Sequence, residues 1–128
     1  MPASKRFQDV EIWQKAHKWV LGVYRVTDSF PKAEMFGLIS QLRRAAVSIP
    51  ANFAEGFRRR GQADNLRYYN ISQGSISESM YYLILARDLG YADTFELMNN
   101  LTEIDVMLHA YVHGIQRRAK VAEGQSKR

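Results

Sequence analysis

The residues with the clearest chemical potential in this sequence are clustered bases. Three arginines follow one another at residues 58–60, and a second group near the C-terminal end contains Arg117, Arg118 and Lys120. A guanidinium group presents several N–H donors in a planar fork, which matches the oxygens of a phosphate. Clusters of this kind favour contact with the backbone of a nucleic acid or with another polyanion.

The charge of the chain is unevenly distributed. The formal net charge is only +5, but residues 31–60 carry six bases and two acids, and residues 114–128 carry five bases and one acid. Residues 61–113 carry two bases and seven acids. The position of the charges is therefore more informative than their total.

Side chains suited to catalysis or metal binding are sparse. The absence of cysteine excludes disulfides, thiol chemistry and a zinc site built on thiolates. His109 and His113 are spaced four apart with Asp105 one turn earlier, so the three can share a helical face and hold a divalent metal. The pattern lacks the glutamate directly after the first histidine that marks a hydrolytic zinc helix. We therefore predict no catalytic residue, metal site or cofactor. A metal-dependent enzyme is the function that the sequence favours least.

The length and composition indicate one globular domain. With 128 residues and 46% hydrophobic composition, the chain can bury one core but is too short for two ordinary domains. The first twenty residues have no apolar stretch of the signal-peptide type, and nowhere do about 18 uncharged apolar residues run together. A soluble cytoplasmic protein without a membrane segment is expected.

Four helices must position the charged groups. Apolar residues recur every three or four positions, which is the period of an amphipathic helix. Short loops between such helices predict an all-α, up-down-up-down antiparallel four-helix bundle that forms a single domain over residues 1–128. The predicted helices are residues 9–29, 34–59, 62–89 and 94–117, and residues 119–128 are predicted to form a flexible basic tail.

The second predicted helix contains an interior proline. Pro50 costs about 3 kcal/mol there, because it removes a backbone donor and clashes with the carbonyl group four residues earlier. One explanation is a break, with Ser48 capping a new short helix. The alternative is a single helix kinked at Pro50, and we favour it because the apolar row crosses the proline without losing phase. That row contains Leu42, Ala46, Ile49, Phe53 and Phe57.

A polar row runs beside the apolar one on this helix. A solvated surface would explain it. A partly buried network between the second and third helices is the alternative, because small side chains on both helices permit close approach. The predicted members of that network are Arg44, Ser48, Asn52, Glu55 and Glu78.

The predicted topology gathers the bases at one end of the bundle, where helix one begins and helices two and four end. We call this group the basic pole; it contains Lys5, Arg6, Arg58, Arg59, Arg60, Arg117, Arg118 and Lys120. The helix dipole explains one or two bases at each helix end, but not three in a row plus a basic tail. The excess favours nucleic-acid contact, and Phe57 or Tyr68 could then stack on bases.

Part of the sequence resembles a known family. The segments FGLISQLRRAAVSIPANFAEGF (36–57), GSISE (74–78) and DLGY (88–91) are similar to four-helix-bundle proteins named for 23S ribosomal RNA intervening sequences, the S23 family. The resemblance runs from about Asp9 to about Ile115. Where relatives often have a glycine and a single basic residue after the EG pair, this chain has a phenylalanine and three arginines.

The resemblance implies a bacterial protein that assembles into a homopentamer and has no catalytic residues. Some members are encoded inside insertions in ribosomal RNA genes. Relatives serve as accessory proteins of diversity-generating retroelements, where a basic pentamer associates with a reverse transcriptase and nucleic acid. We therefore expect a non-enzymatic, homo-oligomeric scaffold or accessory protein that binds RNA or DNA through the basic pole. The alternative is a protein-interaction module that meets an acidic partner without direct nucleic-acid binding.

Overall fold

The computed structural model describes residues 6–126, and these residues fold into an all-α four-helix bundle. No strand occurs within this part of the chain. Short helical turns lead into the first two long helices: a 3₁₀ turn at Phe7–Asp9 precedes the first, and a 3₁₀ turn at Lys32–Glu34 precedes the second. The four long helices are α1 at Glu11–Thr27, α2 at Ser40–Arg58, α3 at Gln62–Asp88 and α4 at Phe95–Ser126.

Each long helix packs against two others. Helix α1 lies between α2 and α4, and α3 lies between the same two helices. The Trp19 indole N–H donates to the Leu97 carbonyl at 2.8 Å, whereas Lys15, one turn earlier in α1, pairs with Glu103, further along α4, at 3.0 Å. The residue nearer the start of α1 thus contacts the residue further along α4. The two helices therefore run in opposite directions at this contact.

The core is built from the apolar rows that the sequence predicts. Its largest fully buried side chains include Phe53 and the aliphatic residues Leu42, Ile49, Ile76, Leu83, Leu101, Ile104 and Leu108. At the level of Phe53, three aromatic rings from three helices meet: the Tyr69 ring lies 5.1 Å away and the Tyr111 ring 5.6 Å away. Burial raises the pKa of Tyr69 well above its ordinary value, so this ring is held as a neutral phenol.

The second helix begins differently from the prediction. Instead of an α-helix from about residue 34, the chain forms a π-helical turn at Met35–Ile39 with non-helical backbone at Gly37, and α2 begins at Ser40. The Glu34 side chain accounts for the difference, because it accepts hydrogen bonds from the Leu38 N–H at 3.4 Å and the Tyr91 hydroxyl at 2.8 Å. A Cβ atom at Gly37 would lie 2.7 Å from this carboxylate, so glycine leaves the space that Glu34 occupies.

The proline does not divide the second helix. Pro50 is buried inside α2, which is continuous from Ser40 to Arg58, so no new helix begins at Ser48. The kink at Pro50 stays a prediction. The serine-rich segment of residues 70–79, predicted to be helix rather than loop, lies within α3.

The last helix is longer than predicted. The sequence pattern places its end near residue 117 and a flexible tail from residue 119, but α4 continues to Ser126. The apolar period stops where predicted, and the residues that follow are mostly exposed. Alanine, lysine and glutamate in this segment have high intrinsic helix propensity, which sustains a helix without a buried face.

Candidate nucleic-acid interface

Two contacts bring together segments that carry residues of the predicted basic pole. The Gln62 side chain, at the start of α3, donates to the Ile115 carbonyl of α4 at 3.0 Å. In the sequence, the arginines at the end of α2 come just before Gln62, and Arg117 and Arg118 come just after Ile115. At the opposite flank, Arg6 and Arg58 border the same surface cleft. Lys5, the remaining predicted member, lies outside the described residues.

The turn from α2 to α3 is short and tied down. Helix α2 ends at Arg58 and α3 begins at Gln62, with extended backbone at both Arg59 and Gly61. The Asn65 side-chain amide donates to the Gly56 carbonyl at 2.5 Å and to the Arg59 carbonyl at 2.8 Å. The Gly56 carbonyl also accepts from the Arg59 N–H at 3.2 Å, so the Asn65 side chain adds a second donor there and ties α3 to the residues that end α2. Sequence reasoning missed this capping role of Asn65, since its partners lie six and nine residues earlier.

Among the three consecutive arginines, Arg59 is the one engaged with neighbouring side chains. Arg59 forms an ion pair with Glu55, donates to the Tyr68 hydroxyl at 3.1 Å and places its guanidinium 4.9 Å from the centre of the Tyr68 ring. Arg67 lies 4.8 Å from the same ring centre and pairs with Asp64 at 3.8 Å. Two guanidiniums and two carboxylates thus surround one tyrosine.

This arrangement commits Arg59 to contacts within the chain. Partial desolvation disfavours its charged form, but Tyr68 and Glu55 favour that form more, and the pKa of Arg59 is raised above its ordinary value. The guanidinium is charged but already balanced by a carboxylate. The sequence pattern had suggested Tyr68 as a stacking surface for bases, and in the structure two guanidiniums already lie against its ring.

The neighbouring arginines are open to solvent. Arg58 and Arg60 are both exposed. Within residues 6–126, the side chain of neither forms an ion pair or a hydrogen bond with another side chain. Arg58 lines a cleft of about 470 Å³ together with Arg6, Phe7, Gln8 and Phe57. Of the arginine run, residues 58 and 60 are therefore the ones that can receive an external anion without losing an internal partner.

The bases of α4 lie near its C-terminal end, where most residues of the helix are exposed. Arg117, Arg118 and Lys120 are all exposed. The Arg118 guanidinium passes Gly114, at 3.7 Å from the position that a Cβ atom would take there. Since α4 extends past the predicted end at residue 117, Lys120 lies on the same helix as Arg117 instead of in the flexible tail predicted for residues 119–128.

The predicted polar network is only partly present. Asn52 donates to the Ser48 hydroxyl at 2.8 Å, and Ser75 of α3 donates to the same hydroxyl at 2.7 Å. Next to them the Ser72 hydroxyl donates to the Ile49 carbonyl at 2.9 Å, while the buried Ser79 hydroxyl has no partner among the described residues. Small polar groups therefore line the α2–α3 contact.

The charged residues predicted for this network lie outside it. Arg44 bonds to Gln41, the Glu78 carboxylate accepts from Tyr82 at 3.0 Å, and Glu55 pairs with Arg59 as described above. All three side chains are exposed, because serine and alanine bring α2 and α3 too close to leave room for long charged groups between them. No hydrogen bond or ion pair among the described residues joins Arg44 or Glu55 to Glu78, and one network joining the three stays a prediction.

The acids at the opposite end of the bundle are engaged locally. Asp28 pairs with Arg43 at 3.1 Å, Asp88 pairs with Arg87 at 3.0 Å, and Asp93 accepts from the Phe95 N–H at the start of α4. The Glu34 carboxylate, which accepts from Tyr91, raises the pKa of that phenol above its ordinary value. This end offers fewer free charges than the basic pole.

The histidine pattern on α4 does not assemble three ligands. His109 Nδ1 lies 3.3 Å from an Asp105 carboxylate oxygen, whereas His113 is exposed one turn later. Between residues 6 and 126, no group of three or more histidine, aspartate, glutamate or cysteine side chains is arranged to hold a metal ion.

The described residues define a class of protein: a small, all-α four-helix bundle. Within the described residues, none of its helices combines the length and apolarity needed to cross a membrane. The chain belongs to the 23S rRNA-intervening sequence protein family, which it matches over residues 8–110. This agrees with the resemblance seen in the α2 segment.

A solved structure has the same fold. It is a protein of unknown function from the S23 ribosomal protein family of Bacteroides thetaiotaomicron, with a TM-score of 0.71 and 22% sequence identity. The alignment covers 79% of this chain and 97% of that one. No curated protein matches the sequence. Neither the family's description nor that of the solved structure names a catalytic activity.

Proposed function

We propose that this protein is a non-enzymatic scaffold or accessory factor of the cytoplasm that binds RNA or DNA through its basic pole. The observation that carries the proposal is the exposure, at one end of the bundle, of unpaired bases from three separate segments: Arg6, Arg58 and Arg60, and the bases of α4. A spread of guanidiniums with no internal partner suits a long polyanion better than a single small anion. Contacts of this kind are mainly to phosphates and carry little sequence information.

The same proposal includes self-assembly. Large apolar side chains are exposed around a groove of about 670 Å³ between α1, the π-helical turn and α2. Phe36 is 93% exposed and Met35 53%, with Tyr24 and Val47 each at 41%. An apolar surface of this kind is costly for a protein that stays monomeric. We propose a homopentamer, the state that the family resemblance implies, in which five basic poles act on one polyanion.

Assembly is tested by sedimentation of the purified protein at micromolar concentration. The expected result for the unmodified chain is a single oligomeric species with the mass of five chains. Phe36→Asp should shift that species towards monomer, because it places a charge on the exposed apolar surface. Phe95→Asp is the matched control, since Phe95 is also largely exposed, at 71%, but lies at the start of α4 and does not line the groove. A parent protein that sediments as a monomer would refute the assembly proposal.

Nucleic-acid binding is tested by titrating labelled duplex DNA and structured RNA with the protein at several salt concentrations. Affinity should fall steeply with salt and depend little on sequence, with a log-log slope of about 0.9 for each phosphate contact on duplex DNA. Reversing the charges of Asp88, Asp93 and Glu96 at the opposite end is the control and should leave the slope nearly unchanged. If the parent does not bind at physiological salt, the nucleic-acid proposal fails, and an acidic protein partner takes its place.

A further inference from the structure

We propose that the cleft between the N-terminal 3₁₀ turn and the end of α2 binds one unpaired nucleotide of a nucleic-acid strand. We call it the Arg6–Arg58 cleft; it is lined by Arg6, Phe7, Gln8, Phe57 and Arg58. The inference rests on the proposed function, and it adds a preference for single-stranded segments over fully paired ones. Nothing in the family's description or in that of the solved structure assigns a ligand to this cleft.

The two walls of the cleft have matching chemistry. One wall supplies Arg6 and Phe7 from the 3₁₀ turn, and the other supplies Phe57 and Arg58 from the last turn of α2. Each wall therefore combines a guanidinium with an aromatic ring. A nucleotide needs a cation for its phosphate and a flat surface for its base, and every base has a face that can stack. At about 470 Å³ the cleft has room for a group of this size, not for a duplex.

Both walls are held in place by contacts outside the cleft. The 3₁₀ turn is closed by the Val10 N–H, which donates to the Phe7 carbonyl at 3.0 Å, and the Gln14 side chain donates to the Gln8 carbonyl at 2.9 Å. The Phe7 ring packs edge-on against Trp13, with ring centres 5.2 Å apart. On the other wall, the Phe57 ring stacks on Phe53 at 6.4 Å. A cleft with fixed walls loses little conformational freedom when a ligand enters.

The local charge favours an anion. Arg6 and Arg58 have no ion-pair partner within residues 6–126. Among nearby acids, Asp9 is exposed on the same 3₁₀ turn, and Glu55 is already paired with Arg59. The described residues that line the cleft thus supply two guanidiniums and no carboxylate. A duplex keeps its bases stacked and paired, so it can place a phosphate in this cleft but no base. An unpaired nucleotide can place its phosphate against the arginines and its base against the phenylalanines.

The test compares two RNA hairpins that differ only in a short single-stranded tail, with fluorescence anisotropy as the readout. The tailed hairpin should bind the unmodified protein about tenfold more tightly than the blunt one, which is the scale of one stacking contact. The double variant Phe7→Leu with Phe57→Leu should remove this preference while it retains binding of the blunt hairpin, since leucine keeps the apolar volume but has no aromatic face. Phe95→Leu, at the distant start of α4, is the matched control and should keep the preference.

A second measurement needs no variant. Trp13 packs against Phe7, so a single-stranded oligonucleotide that enters the cleft should change the tryptophan emission of the unmodified protein, whereas a blunt duplex should not. The other tryptophan, Trp19, is buried and hydrogen-bonded to α4, which makes it a constant background. Equal binding of both hairpins, with emission that does not distinguish the two ligands, would overturn the nucleotide site alone. Absence of binding to either hairpin would overturn the proposed function with it.

Discussion

Gly56→Ala should destabilise this protein by about 1 to 3 kcal/mol, the usual cost of forcing an extra carbon into a packed site. Gly56 is buried in α2, and two tyrosines of α3 lie against it. A Cβ atom there would lie 2.8 Å from one carbon of the Tyr69 ring, 3.0 Å from another and 3.0 Å from the Tyr68 Cβ. The Tyr69 ring cannot move aside easily, because it is fixed between Phe53 and Tyr111.

The measurement is thermal unfolding followed by circular dichroism at a fixed protein concentration, which matters if the chain assembles. For a domain of this size each kcal/mol lowers the melting temperature by about 4 °C. Gly74→Ala is the matched control, since Gly74 lies inside α3 with nothing within 4 Å of its added Cβ. It should be neutral or stabilising, because alanine is favoured over glycine in a helix by about 1 kcal/mol. If Gly56→Ala melts at the same temperature as Gly74→Ala, the prediction is wrong, and Tyr68 and Tyr69 can shift to accommodate the added methyl group.

The sequence predicts the helices well because their signals are periodic and local. The rows through Leu42 and Phe53 in α2 keep one face apolar, and the same rows form the core. The serine-rich part of α3 shows that such a row can outweigh composition: Ile76 and Leu83 maintain the apolar period where the local residues would otherwise indicate a loop.

The sequence predicts the helix ends and side-chain partners less well, because these depend on contacts between distant residues. At the π-helical start of the second helix, the Glu34 carboxylate accepts a hydrogen bond from Tyr91, which is 57 positions away in the sequence. The charged network depends on such contacts too: Arg44 and Glu78 occupy suitable rows, but the distance between the helices decides whether long side chains fit between them. A helical period specifies which face a residue is on but not how closely two faces approach.

The arginine run illustrates this limit at the candidate site. Three identical residues in sequence cannot be told apart by composition, and all three were predicted to contact nucleic acid. In the structure Arg59 folds back on Glu55 and Tyr68, whereas Arg58 and Arg60 have no such partners within residues 6–126. The difference arises because α2 ends at Arg58, so successive side chains leave the helix in different directions.

The arginines should therefore separate by function when they are replaced. The double variant Arg58→Ala with Arg60→Ala should remove two phosphate contacts, each of which contributes about 0.9 to the salt slope on duplex DNA and about fivefold to affinity near 0.15 M salt. The expected result, for each subunit that contacts the nucleic acid, is a slope lower by about 1.8 and binding weaker by about 30-fold. Its melting temperature should stay close to that of the parent, since neither side chain has an internal partner to lose.

Arg59→Ala should show the opposite pattern. Its exposed ion pair and its contact with the Tyr68 ring are each worth about 1 kcal/mol or less, so a small loss of stability is expected. Its salt slope should stay close to that of the parent, because the guanidinium is already balanced by Glu55. Measuring the slope and the melting temperature of both variants together separates the two roles. If Arg59→Ala lowers the slope as much as either neighbour does, nucleic acid displaces Glu55 from Arg59, and all three arginines act as one phosphate-binding group.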